Sequence, residues 1–573
     1  MTDYDVIVIG GGINGLTCAA YLGKAGLKTL LLEARGECGA HCDTAETNIP
    51  GFLHNLHTTW LVTAMSPAMG ELELERFGLE LRTTDVIYAK SFLDRKNALI
   101  CNNPFETIQN WEKLSTKDAG IIRAATETFL PRIMDLIDIF HRYMFTAPSV
   151  QTLDDLDAIY SPFFKQIGMN TTFRQVYEMN GFEAMNRMFE SEYIKTMLQS
   201  LSWISGLSPI HPRVGSIGTA LLGPLTGPVV PVHLCKGGGH SLTHALVKAA
   251  TTYGVTILTC CPVAAILMEN GKAAGVKLSD HAVIRNETFT ARTIISNVTV
   301  VPTFINMIGE DRIGTEMAAR IKAFSYEEQN IIGVYYALSG KPQFASADFD
   351  EGIQRCCMGY FGGENSAEME TYARNLVGRK IHEKAIGNWF IPTLADPGQA
   401  PEGCHTSFVW FDVPPTPGKW KDETINGFMD WGRIKERVAD MITDTYEQYA
   451  PGLKNLILDR TIYSPLDMYR NNPSAVKGNW AGGSIIPGQF YENRPVPGVI
   501  IKGASRTFLP NLYLSNSIHP FGSSNLASGY IAACEVATDM GVRDQGWWNE
   551  KACMWLLANA ARIPANLGVG RTS

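Results

Sequence analysis

Charged residues are scarce in this 573-residue chain: Asp, Glu, Lys and Arg make up 18% of it, against about 25% in an average soluble protein. Charge-driven disorder is thereby excluded, because 45% hydrophobic residues can bury enough surface to offset the entropy lost on ordering. Basic runs are missing too, and 49 Lys+Arg stand against 57 Asp+Glu. No nucleic-acid partner is expected, since phosphate backbones are held by clustered cations. Cysteine is rare, at 12 residues, too few for a disulfide scaffold. Met1-Thr2-Asp3-Tyr4-Asp5 offers neither a basic n-region nor a cleavage site, so a cytoplasmic location is expected, with peripheral membrane contact left open. Unbroken membrane-spanning runs are also lacking. The 18 uncharged residues from Gly215 to Val232 include Gly215, Gly218, Gly223, Gly227, Pro224, Pro228 and Pro231, which would leave backbone groups unpaired in lipid. That stretch reads as a loop or a strand approach.

What is present begins at the N-terminus. Asp5-Val6-Ile7-Val8-Ile9 is a β-branched apolar run suited to a buried parallel strand, and it stops at Gly10-Gly11-Gly12-Ile13-Asn14-Gly15. A helix with Leu16, Ala19, Ala20 and Leu22 on its packing face should follow and end at Gly26. Thr29-Leu30-Leu31-Leu32 is then a second strand, closed by Glu33. In this βαβ unit Gly10 makes the tight turn, Gly12 lets backbone approach a pyrophosphate, Gly15 lets helix pack on strand, and Glu33 can accept hydrogen bonds from a ribose. The unit predicts a dinucleotide site built from Gly10, Gly12, Asn14, Gly15, Glu33, Ala34 and Arg35. By itself it does not separate FAD from NAD.

The next stretch, Glu33-Ala34-Arg35-Gly36-Glu37-Cys38-Gly39-Ala40-His41-Cys42-Asp43-Thr44, resembles the segment that wraps the FAD pyrophosphate in the phytoene desaturase-related FAD-dependent oxidoreductases, a branch of the amine oxidase-like flavoproteins. Gly39 and Thr44 match the family pattern, while Ala40 stands at a usual glycine and His41 where Arg or Ala is common. Later segments resemble the family in the same order: Lys236-Gly237-Gly238-Gly239, Pro262-Val263-Ala264-Ala265-Ile266, Ile294-Ile295-Ser296-Asn297, Arg494-Pro495 and Asn511-Leu512-Tyr513-Leu514. Ser515-Asn516-Ser517-Ile518-His519-Pro520-Phe521-Gly522-Ser523-Ser524-Asn525 keeps His519-Pro520 of the flavin segment but few of its glycines. The resemblance implies FAD as cofactor, the Val263 backbone at the adenine, and Gly39, Ala40, His41, Asn516, Asn525 and Leu526 among the FAD contacts. It also implies an α/β protein in which a Rossmann-type FAD-binding domain (1–70, 225–305 and 455–540) is interleaved with an α+β substrate domain (71–224 and 306–454) and followed by a C-terminal extension (541–573).

Several groups could carry the rest of the chemistry. Residues 131–205 hold 7 of the 20 methionines, Met134, Met144, Met169, Met179, Met185, Met188 and Met197, among Phe140, Phe145, Phe163, Phe164, Phe173, Phe182, Phe189 and Trp203. This suits either an adaptable cavity for a hydrocarbon-like substrate or an ordinary helical core. His57, Thr58, Trp60 and His519 are the expected reaction-chamber residues, since a histidine there can move protons near neutral pH. Cys38, His41, Cys42, His54 and His57 are of zinc-ligating type, but they lie where FAD should be wrapped, so no metal is expected. Covalent attachment of the flavin to His41 or a nearby cysteine stays open. Trp547, Trp548 and Trp555 in the tail suit an oligomer contact, a membrane-surface contact or docking onto the chain's own body.

The expected activity is that of an FAD-dependent dehydrogenase or desaturase acting on an apolar, isoprenoid-type or alicyclic small molecule. Hydride would pass to flavin N5 and a proton to a group near His57 or His519; capture of the resulting cation by water would make the reaction a hydroxylation. Flavin-dependent isomerisation of a polyene, a catalytically degenerate subunit of a complex, and amine oxidation are the alternatives. No second G-x-G-x-x-G is present, which leaves a quinone, oxygen or a carrier protein as electron acceptor.

Overall fold

A computed structural model describes residues 2–221, 232–499, 501, 503–520, 525–559, 561 and 563. Two seven-stranded sheets carry the fold. The first is nucleated by Tyr4–Ile9, whose Val6, Ile7, Val8 and Ile9 are all buried, as a strand covered on both faces requires. It pairs in parallel with Thr29–Leu32 on one side and with Thr288–Ser296 on the other; Thr29–Leu32 in turn pairs with Thr256–Leu258. Thr288–Ser296 changes partner along its length. Its first residues run antiparallel to Lys272–Leu278, and its last also take Leu512–Leu514 in parallel. One end of the sheet is thus a three-stranded meander ending in Val263–Glu269.

Helix Ile13–Lys24 follows the first strand and packs between His240–Thr252 and Ala527–Asp539. Two glycines set those spacings: a Cβ on Gly15 would lie 2.2 Å from the Gly10 carbonyl oxygen, and one on Gly529 would lie 2.2 Å from that of Asn14. Gly26, at φ +87°, ends the helix as expected.

In the second sheet the order is Ile457–Tyr463, Ile331–Leu338, His405–Asp412, Gly387–Phe390, Met358–Phe361, Val86–Ser91 and Asn97–Cys101, antiparallel except where Met358–Phe361 meets Val86–Ser91. Helix Trp431–Tyr449 buries Ile434, Val438, Ile442, Tyr446 and Tyr449 along one face before Pro451 and Gly452 stop it. A group of helices from Pro104–Glu112 to Glu192–Ile204 packs into the same core. The α/β class expected from the sequence holds.

Two expectations change, and one alternative for the tail is seen. Ile457–Tyr463, which the sequence reading placed in the last cofactor-domain piece, belongs to the second sheet, where it is a half-exposed edge strand paired, among the described residues, only with Ile331–Leu338. The stretch from Gly215 begins helically, as Val214–Ser216 running into one π-helical turn at Ile217–Leu221. Its glycines serve close packing: a Cβ on Gly218 would sit 2.0 Å from the Ser202 hydroxyl, and one on Gly215 2.5 Å from the Pro209 carbonyl oxygen. Gly223, Pro224, Gly227, Pro228 and Pro231 lie outside the described residues, as do Phe521 to Ser524. In the tail, Trp548 is 1% exposed and stacks on Tyr21 at 4.9 Å, with Trp547 parallel to it at 5.2 Å, so these rings dock onto the first helix of the same chain. Among the described residues no helix is long and apolar enough to cross a membrane.

Candidate active site

A cavity of about 790 Å³ runs from the glycine turn at the end of the first strand to the face of the second sheet. Its nucleotide end collects Gly10, Gly12, Asn14, Glu33, Ala34 and Arg35 from the βαβ unit, Gly39, Ala40 and His41 from the loop beyond it, and Val263, Asn516 and Asn525 from further along the chain. Gly10 is left-handed at φ +99° and so needs glycine, while a Cβ on Gly12 would lie 2.9 Å from the Asn297 amide nitrogen and would have to displace that side chain. The Glu33 carboxylate is buried and accepts backbone N–H groups from Gly11 at 2.7 Å and Arg35 at 2.8 Å, which fixes it at the end of the second strand. Helix Ile13–Lys24 carries no side-chain cap, leaving first-turn amides for an anionic ligand. An uncapped helix end, a turn with no room for side chains and a fixed carboxylate fit the pyrophosphate and ribose of a dinucleotide.

Gly15 and Leu526 do not line the cavity. Gly15 lies behind the turn, and Leu526, fully buried at φ +63°, supports the start of helix Ala527–Asp539. Asn14 joins the two helix starts by accepting the Gly529 N–H at 3.1 Å. Ala40 takes a left-handed conformation at φ +50°, the geometry that a glycine would hold without strain.

All four expected chamber residues, His57, Thr58, Trp60 and His519, line the cavity. His57 Nδ1 lies 3.1 Å from Asp43 Oδ1, its ring stacks on His41 at 4.5 Å, and its buried Nε2 makes no hydrogen bond. Burial pushes His41 down to about 3, with His57 acting the same way, so His41 is neutral. Burial alone would raise the Asp43 carboxyl, but its hydrogen bond to His57, together with the neighbouring His57, His41 and Arg35 side chains, outweighs it and holds Asp43 below its ordinary value. The pair is an imidazole oriented by a carboxylate. His519 is occupied differently: Nε2 donates to the Tyr143 carbonyl at 2.6 Å, and burial pushes the ring down to about 4. It ties the flavin-segment loop to helix Ile133–Phe145. Thr58 contributes backbone, its N–H donating to the His41 carbonyl at 3.0 Å.

The far end of the cavity differs from expectation. Of the seven methionines between 131 and 205 only Met144 lines it; Met185, Met188 and Met197 are core and Met134 is exposed. Phe140, Tyr143 and Trp203 are the contributing rings of that region, while Phe163, Phe164 and Phe173 pack helix on helix. The floor comes from the second sheet, through Met358, Tyr360, Asn388, Phe390, Trp410 and Asp412, none of which sequence reasoning selected. Burial pushes the Asp412 carboxyl up to about 7, and Asn388 Oδ1 is buried without a hydrogen-bond partner. A charged residue ending the apolar run Phe408-Val409-Trp410-Phe411 was the one available signal for Asp412.

The zinc-type residues do not converge. Cys42 Sγ donates to the Gly239 carbonyl at 3.0 Å, His54 Nε2 meets Asn48 at 3.0 Å and His57 is taken by Asp43.

The sequence pattern of the family described as FAD dependent oxidoreductase (DAO) matches residues 5–298, just over half of the chain. A limonene dehydrogenase subunit of Castellaniella defragrans is 26% identical over 95% of this chain and 96% of its own length. Phytoene desaturase (lycopene-forming) of Pseudescherichia vulneris is 23% identical over 81% of this chain and 86% of its own. Among solved structures, an oxidoreductase from Methanosarcina mazei superposes with a TM-score of 0.57 over 93% of this chain and 100% of that one, at 16% identity, a likeness of fold. With the glycine turn, Glu33 and the uncapped helix in place, the chain belongs to the FAD dependent oxidoreductase family and is an FAD-dependent oxidoreductase, similar to limonene dehydrogenase and phytoene desaturase.

Proposed function

We propose that the enzyme is a dehydrogenase or desaturase of an apolar substrate of isoprenoid or alicyclic type. One observation carries this reading: beyond the nucleotide end the cavity is walled mainly by Phe140, Met144, Trp203, Tyr360, Phe390 and Trp410, rings and thioether that exclude water, with Asn388 and Asp412 as isolated polar groups in the floor. The similarity to a relative named for limonene, a cyclic terpene, supports the same substrate class.

FAD, when bound, supplies the acceptor for the two electrons removed with hydride. The residues of the chain supply the rest. The aromatic walls hold the substrate and stabilise positive character on carbon through their ring faces. Ionised Asp412 adds negative charge at the floor. His57 takes the proton at Nε2, the nitrogen without a partner, while Asp43 holds Nδ1 and stabilises the imidazolium that results. His519 positions and does not transfer, because its Nε2 proton is committed to Tyr143.

Amine oxidation is the second reading, favoured by Asp412 alone, since a carboxylate in an apolar chamber suits a substrate ammonium. Anaerobic mixing of holoenzyme with terpene hydrocarbons separates the readings. Stoichiometric loss of oxidised-flavin absorbance with formation of a dehydrogenated or hydroxylated product supports the proposal. Product without bleaching identifies an isomerase. Bleaching by amines alone identifies an amine oxidase, and no response to either class rules the proposal out.

A further inference from the structure

We propose that Glu37, His240 and His244 form a binding site for a divalent first-row transition-metal cation of the zinc type, which latches the cofactor-wrapping loop onto helix His240–Thr252. The two histidines stand four residues apart at the start of that helix and so share one face, with ring centroids 4.3 Å apart. Glu37 reaches across from the loop after Glu33. Its Oε1 lies 2.7 Å from His240 Nε2 and 3.4 Å from His244 Nε2, and the three candidate ligand atoms all fall within 4.8 Å of one another.

The geometry at His240 points to a third atom between the groups. Its Nε2 is buried and stands 2.7 Å from the Glu37 carboxylate oxygen, an ion-pair contact in which Nε2 has no hydrogen bond of good geometry. Ligands converge in this way on a metal. In a tetrahedral site with bonds of about 2.0–2.1 Å, neighbouring ligand atoms stand about 3.3 Å apart. The two contacts to Glu37 bracket that spacing, and the exposed Glu37 side chain can move by the difference.

Two imidazoles and one carboxylate suit zinc, cobalt, nickel or copper; calcium and magnesium prefer all-oxygen sets. The helix N-terminus opposes a cation, and the Glu37 carboxylate offsets that field. Glu37 and His244 are exposed, so water completes the coordination. None of the three lines the cavity, and the metal is assigned no part in redox chemistry. Its effect is mechanical. Thr243 Oγ1 already donates to the Cys42 carbonyl at 3.0 Å, and Cys42 Sγ to the Gly239 carbonyl at 3.0 Å. A metal would be a further tie between this helix and the loop whose Ala40 and His41 line the nucleotide end.

The test uses chelator-treated holoenzyme titrated calorimetrically with zinc chloride, alongside His244→Ala and Glu37→Gln, whose exposed positions leave the fold intact as checked by circular dichroism. One zinc per chain, at least tenfold weaker in each variant, is expected, with an anomalous zinc peak among the three side chains in a soaked crystal. Zinc should also slow thermal release of flavin fluorescence several-fold in the parent and not in His244→Ala. No zinc binding, equal binding in the variants, or equal binding of magnesium overturns the site. Localised zinc with unchanged flavin release overturns the latch.

Discussion

His57 is where the proposed chemistry is most exposed to a single substitution. His57→Gln keeps much of the bulk against His41 but removes the basic Nε2, so kcat should fall about 10²–10⁴-fold, the usual range for a lost general base, while the flavin spectrum is retained. Asp43→Asn should act in the same direction through the Nδ1 partner, with a smaller loss. Steady-state kinetics with a responsive substrate checks both, and a variant at parent rate would remove His57 from the mechanism. Asp412 gives a pH signature. With its carboxyl pushed up to about 7, the ionised fraction rises through neutrality, so kcat/KM should rise with an inflection near pH 7 that Asp412→Asn lacks. The stability sign is opposite. A carboxyl raised in the folded state above its unfolded value near 4 loses stability as pH climbs from 4 to 7, so Asp412→Asn should be the more thermostable protein at pH 8. These two residues also mark what could be read from the sequence. Gly10, Gly12, Glu33 and His57 sit on or beside one βαβ unit, where spacing along the chain is spacing in space. Asp412 and Asn388 come from strands whose neighbours are fixed by long-range pairing, and neither type nor spacing announced them.

At the scale of elements, local pattern succeeded wherever one face met one core. The first strand, the helix ending at Gly26 and helix Trp431–Tyr449 all follow their apolar periods. It failed where packing overruled composition. Gly215 and Gly218 read as breakers, yet they are helical because segment 202–209 passes too close for a side chain. The methionine-rich helices misled in the other direction: thioethers fill gaps between helices as readily as they line a cavity, and composition does not distinguish the two. Gly218 makes the packing account testable. Gly218→Ala places a Cβ 2.0 Å from the Ser202 hydroxyl and 2.9 Å from Leu207 Cβ, so despite the better helix propensity of alanine it should destabilise the protein by about 1–3 kcal/mol in urea melts. Gly218→Ala with Ser202→Ala should recover part of that loss. Equal stability of parent and single variant would mean that the helical turn yields.

For the whole molecule, the arrangement of two sheets with a cavity between them has an electrostatic consequence. The chain crosses between the sheets repeatedly, and several histidines come to rest in dry surroundings along the way. Burial pushes His54, His141, His233 and His519 each down to about 4, and His41 to about 3. Each is neutral when folded but binds a proton near pH 6.5 when unfolded. Between those values the unfolded chain holds more protons, so stability is fully present above about pH 6.5 and is lost as pH falls toward 4. Five such groups on one cooperative body make the slope steep, and two of them, His41 and His519, line the cavity. Thermal denaturation followed at successive pH values should therefore show Tm falling sharply below pH 6.5, with flavin released in the same transition. His233 does not line the cavity, so His233→Gln should make that fall shallower without changing the flavin spectrum at pH 7.5. An acid limb that begins only at carboxylate pH values, below about pH 4.5, would show that the buried histidines do not govern it.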